Sequence, residues 1–102
     1  MIDDNMAQVA RARPRRKLFQ PAELDVGGGR RRVHVLDLSE TGAQVNGVNP
    51  PALGSFVSLC VGEVRRAARV AWVRGQRFGV TFVMPLTANE VGAVLVIGTR
   101  AG

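Results

Sequence analysis

Residues 56–83 read FVSLCV GE VRRAARVAWVR GQ RFGVTFV, and the fold is decided there. Three runs rich in valine and phenylalanine are divided by the turn pairs Gly62-Glu63 and Gly75-Gln76. In the last run Phe78, Val80 and Phe82 recur at every second position, the period of a strand with one buried face. Runs of roughly 5–10 residues, punctuated every 8–12 residues or so by glycine and proline, predict a small antiparallel barrel or sandwich.

The pattern continues upstream. Gly27-Gly28-Gly29 is a hairpin signal, and Arg30–Leu38 reads as a strand in which Val33 and Val35 alternate with Arg32 and His34. At Leu36 apolar residues fall on both parities, which predicts a bulge or sharp twist. Ala43-Gln44-Val45 follows, then a turn-rich stretch over residues 46–54. Leu18–Leu24 looks extended, with Pro21 marking an edge or a strand end. Downstream the period changes. Thr87 and Glu90 have the spacing of a capping box, and Val91, Val94 and Leu95 follow at helical intervals, predicting a C-terminal helix of about ten residues ending near Gly98. The expected class is therefore mainly β with a short C-terminal α-helix. Residues 1–10 lack an amphipathic period and are expected to form a flexible tail, with one domain over 11–102.

Composition narrows the function. The chain has 102 residues, a single cysteine, and no apolar run near the ~20 residues of a membrane span. Cys60 lies in an apolar run and reads as a buried strand residue; with no disulfide partner it fits a reduced, cytoplasmic setting. Formal net charge is +6, with fourteen basic residues of which only Lys17 is lysine. Arginine offers a planar fork for phosphate or a purine edge, whereas lysine is a point charge. Eight basic residues cluster in Arg11–Lys17 and Arg30–Arg32; the second cluster reads as a solvated basic face. Multi-histidine and multi-cysteine metal sites are excluded, nucleophile and phosphate-loop motifs are missing, and His34 reads as an outward-facing strand residue. The expected protein is not an enzyme, and no cofactor or metal is expected.

Two motifs remain. Arg11-x-x-x-Arg15, with Pro14 between, supplies guanidinium groups on the approach to the first strand, and Arg16 adds a third cation. Asp37-x-Ser39-x-x-Gly42 straddles a strand end: Asp37 and Ser39 share parity, and Gly42 is expected to supply a turn with positive φ. Each alone is weak, since the second also reads as an ordinary turn. Followed by Val70-Ala71-Trp72-Val73 and Phe78-Gly79-Val80-Thr81-Phe82, however, the ordered set resembles the PilZ domain, a bacterial receptor module for cyclic di-GMP, over residues 11 to 97 or so.

That resemblance implies a six-stranded antiparallel β-barrel with a C-terminal helix. It implies that Arg11 and Arg15 clamp phosphates and the guanine O6/N7 edge, that Asp37 accepts from guanine N1–H and N2, that Ser39 donates to phosphate and that Gly42 admits the ligand closely, with Arg16 as an additional contact. Trp72 is expected to be a buried strand residue rather than a border of the base. The implied regulatory ligand is cyclic di-GMP, the implied switch an arginine arm that orders on binding, and the implied output a partner protein reached by a stand-alone module. Two alternatives are a PilZ-type interaction module without ligand and, less favoured, a small basic nucleic-acid-binding barrel. Five aromatic residues, none of them tyrosine, offer little stacking platform for the latter.

Overall fold

The computed structural model describes residues 16–101, with side chains through Ile97. Six strands, β1 (Arg16–Val26), β2 (Gly29–Leu38), β3 (Gly42–Asn46), β4 (Phe56–Val61), β5 (Val64–Arg74) and β6 (Arg77–Phe82), precede the helix α1 (Ala88–Ala101). All neighbouring strands pair antiparallel, in the order β1-β2-β3-β6-β5-β4, and β4 returns to β1 to close a barrel. Closure leaves the sheet without a free edge strand.

The local chemistry of the turns sets this ring. Gly27 and Gly28 have φ of 53° and 86°, so a two-residue turn joins Val26 to its partner Gly29, as a tight hairpin with two left-handed positions requires. Gly62 (φ 60°) and Gly75 (φ 64°) open the other two tight hairpins. Pro21 lies inside β1 rather than ending it. Its missing donor is tolerated because β4 pairs with β1 only from Glu23 to Asp25, leaving the strand unpaired on that flank at Pro21.

The interior is filled from every strand by period-two side chains, among them Leu24, Val35, Val45, Leu59, Val70 and Phe78, all 3% exposed or less. Phe78, Val80 and Phe82 face inward as the sequence predicts. In β4 the inward positions are Val57, Leu59 and Val61, so Cys60 alternates to the outer face and is only half-buried, against the expectation of a buried thiol. There Arg65 Nη1 donates to its sulfur at 3.4 Å. His34 also faces outward, stacked on the Phe19 ring with centroids 4.3 Å apart.

Helix α1 packs on the barrel through Val94, Leu86 in the segment leading into it is buried as well, and Ile97 reaches the β4–β5 turn at Gly62. Its start is the predicted capping box: Glu90 N donates to Thr87 Oγ1 at 3.0 Å, and Thr87 N donates to Glu90 Oε1 at 2.9 Å. Arg66, on β5, donates to the same carboxylate oxygen. At fourteen residues the helix runs past Gly98, longer than its glycines and β-branched residues predict. The Arg30–Arg32 cluster is partly consumed in structure. Arg30 bridges Glu23 and Asp25, at 2.9 Å each, and Arg65 meets Asp25 at 2.6 Å. Hydrogen bonding to Arg30, then Arg65, holds the Asp25 carboxyl below its ordinary range.

Candidate functional site

The outer face of β2, β3, β6 and β5 carries a groove of about 240 Å³. Asp37, Ser39, Gly42, Gln44, Trp72 and Thr81 are among the residues lining it. Two bulges aim its chief side chains. Against β3, Val35 pairs with Val45 but Asp37 pairs with Gln44, so Leu36 is an extra residue in β2. Asp37 shares parity with the core residues Val33 and Val35, and in an unbroken strand it would enter the barrel. The inserted Leu36 turns it to the outer face and returns Leu38 to the core, where that side chain is 1% exposed. The predicted slip is thus the device that positions the acid.

The same logic governs Trp72. Against β6, Val70 pairs with Val80 but Trp72 pairs with Gly79, making Ala71 the extra residue of β5. Val70 stays inside, whereas Trp72 is turned out and remains 39% exposed. This corrects the expectation of a buried tryptophan. Its indole lies across Gly79, where a Cβ would overlap the ring nitrogen. Gly79 therefore gives the indole its seat.

Between β2 and β3 the chain turns on Ser39. Ser39 N donates to Gly42 O at 2.9 Å, and Ser39 Oγ accepts from the amides of Thr41 and Gly42, each at 3.3 Å. Leu86 N donates to Glu40 O at 2.8 Å and Phe82 N to Thr41 O at 2.9 Å, tying the turn to the segment that enters α1. Gly42 does not have the expected positive φ. It opens β3 in ordinary strand conformation, and a Cβ there would collide with the carbonyl oxygen of Val80 on β6. The glycine is needed for close approach of two strands, not for a left-handed turn.

The groove brings together three of the sequence-derived residues, Asp37, Ser39 and Gly42. Arg16 does not line it; it lies exposed at the start of β1, in register with Leu38. Its neighbour Lys17 is in register with Asp37. The arm leading into Arg16 therefore joins the barrel beside the Asp37–Gly42 turn. Arg11, Arg15 and the tail over residues 1–10 lie outside the described residues. Gln44 and Thr81 were not singled out from sequence. Strict alternation with Ala43 and Val45 already places Gln44 outward, so that signal was available. Chemically, the groove offers a carboxylate acceptor, a serine hydroxyl, a carboxamide and an indole, over a floor kept low by glycine.

A small closed barrel with a polar groove walled by an indole and a carboxylate defines a binding module. The sequence matches the PilZ domain family over residues 10–96, and the chain belongs to that family. PilZ domains are modules that bind cyclic di-GMP rather than enzymes. No curated protein matches the chain. Among solved structures, an uncharacterized Legionella protein is similar, with a TM-score of 0.48 and 12% identity over 85% of this chain and 91% of that one. No helix among the described residues is long and apolar enough to cross a membrane.

Proposed function

We propose that the protein is a cyclic di-GMP receptor whose N-terminal arginines close over the nucleotide held in the groove. The observation that carries this reading is the convergence of Asp37, Ser39 and Gly42 on one groove, beside the point where the arginine-bearing segment joins β1. Asp37 accepts from N1–H and N2 of guanine, an edge adenine does not match. The Ser39 hydroxyl donates to phosphate, Trp72 borders the ring system, and Arg11, Arg15 and Arg16 neutralise the two phosphates. Ordering of the arm changes the surface offered to a partner protein, which makes binding a signal.

A second reading, a PilZ-type interaction module without ligand, is favoured by one observation: the Ser39 hydroxyl already has an acceptor within the turn, donating to Gly42 O at 3.4 Å. Calorimetric titration with cyclic di-GMP separates the two, with fluorescence of Trp72, the sole tryptophan, as a second readout. The receptor reading expects saturable binding that Arg15→Ala and Asp37→Ala each weaken by about tenfold or more, the loss of a charge-assisted contact. Absence of binding in the wild type, or equal binding in both variants, removes it.

A further inference from the structure

A second groove, of about 580 Å³, lies next to the first and shares Ala71 and Thr81 with it. Its exposed walls are apolar: Leu53 is 68% exposed, Phe56 68% and Val83 56%. Side chains of this kind, gathered around one concavity, mark an interaction surface more often than a solvated one. The groove is built rather than incidental. Gly54 N donates to Val70 O at 2.8 Å and Val70 N to Ser55 O at 2.9 Å, which fixes the Leu53 wall on β5. Val83 N donates to Ala67 O at 2.9 Å, which fixes the opposite wall.

One charge stands in this apolar setting. The Arg69 guanidinium sits over the Phe56 ring, 5.8 Å from its centroid, within cation–π range. Among the described residues no carboxylate lies within ion-pair distance of it, whereas Arg30, Arg65 and Arg66 each have one. A cation oriented by an aromatic face, with no counter-ion among the described residues and apolar walls on either side, is complementary to an anionic group flanked by apolar ones.

We propose that this groove docks a partner protein through a short segment carrying an apolar side chain beside an acidic one. The apolar side chain fills the space between Leu53, Phe56 and Val83, and the carboxylate pairs with Arg69. A second copy of this chain is disfavoured by its net charge of +6, and a membrane surface by the concave shape and the single cation. The ridge between the grooves is the Ala71 bulge, so a segment seated here abuts whatever the first groove holds.

The test uses the protein without nucleotide, so its outcome is independent of the receptor reading. Three labelled hexapeptides serve as probes for anisotropy and NMR shift mapping. One has a Phe-Leu pair flanked by aspartates and glutamates, one has lysines in place of the acids, and one is acidic with Gly-Ser in place of Phe-Leu. The first is expected to bind, with shifts centred on Leu53, Phe56, Arg69 and Val83. Phe56→Ser and Arg69→Gln, both at exposed positions, are each expected to weaken it by about fivefold to tenfold, as removal of an interface anchor does. Arg77→Gln, which removes a charge outside the groove, is expected to leave it unchanged. Equal binding of all three probes, equal losses in Arg69→Gln and Arg77→Gln, or concentration-dependent dimerisation that perturbs the same residues would each overturn the proposal.

Discussion

Gly42 and Gly79 are both required by what their neighbours do, not by their own backbone angles. At Gly42 a methyl group would meet the Val80 carbonyl, a main-chain atom held in the β3–β6 ladder that cannot swing aside. At Gly79 it would meet the Trp72 indole, which lies at the surface and has somewhere to go. Gly42→Ala is therefore expected to cost about 1–3 kcal/mol, the range for overpacking. Gly29→Ala, at a glycine without positive φ and with nothing nearer than the Val26 carbonyl at 3.6 Å, should be neutral or stabilise by about 0.4–1 kcal/mol. Urea unfolding of the two variants checks the pair, and the opposite ranking would contradict the steric account. From sequence, a glycine at the end of a strand suggests a left-handed turn. The need that governs Gly42 lies on β6, nearly forty residues away, and no local pattern carries it.

Among the elements, α1 is fastened by charge as well as by packing. The Glu90 carboxyl is held below the ordinary glutamate range, first by the Thr87 amide hydrogen bond and then by Arg66, against the opposing effect of desolvation. Because the folded value is the lower one, the unfolded chain takes up the proton first on acidification. The stabilisation is therefore complete above the ordinary value near 4.5 and is lost as pH falls through the folded value. The stability gap between wild type and Glu90→Gln should be full at about pH 6 and should close on acidification below about pH 4; a gap that stays constant would show that the charge is immaterial. Thr87→Ala should cost about 1 kcal/mol, the usual effect of losing an N-cap, read by the same denaturation. The capping box was legible because it depends on residues three apart. The hairpins were legible because two-residue glycine turns admit few alternatives, and the Leu36 slip because polar and apolar residues change parity there. The Ala71 bulge was not. Val70-Ala71-Trp72-Val73 is apolar throughout, so an inserted residue leaves no break in its pattern, and Trp72 was assigned to the wrong side.

For the molecule as a whole, a ring of six strands gives the groove proposed for the nucleotide a rigid floor, so binding there should register as global stability. Nucleotide at 100-fold its Kd should add about 2.7 kcal/mol to unfolding, which for a chain of this length is roughly 10 °C or more in Tm. Scanning calorimetry with and without cyclic di-GMP tests this; an unchanged Tm at saturating nucleotide would contradict the receptor reading. Closure of the ring also fixes the fate of the extra residue in β2. A strand at an open sheet margin could absorb a one-residue insertion by sliding, but β2 is clamped between β1 and β3 and the insertion must buckle locally. Removal of the single codon for Leu36 takes out the extra residue itself, so Val35, Asp37 and Leu38 would follow one another in their present pairing with Val45, Gln44 and Ala43. They would alternate inward, outward and inward, and the Asp37 carboxylate should keep its aim, with nucleotide uptake retained in a calorimetric titration. The change would leave every letter of the recognition motif in place. Within this architecture a length mutation can thus be silent at the site, an outcome that inventories of motif letters would not foresee.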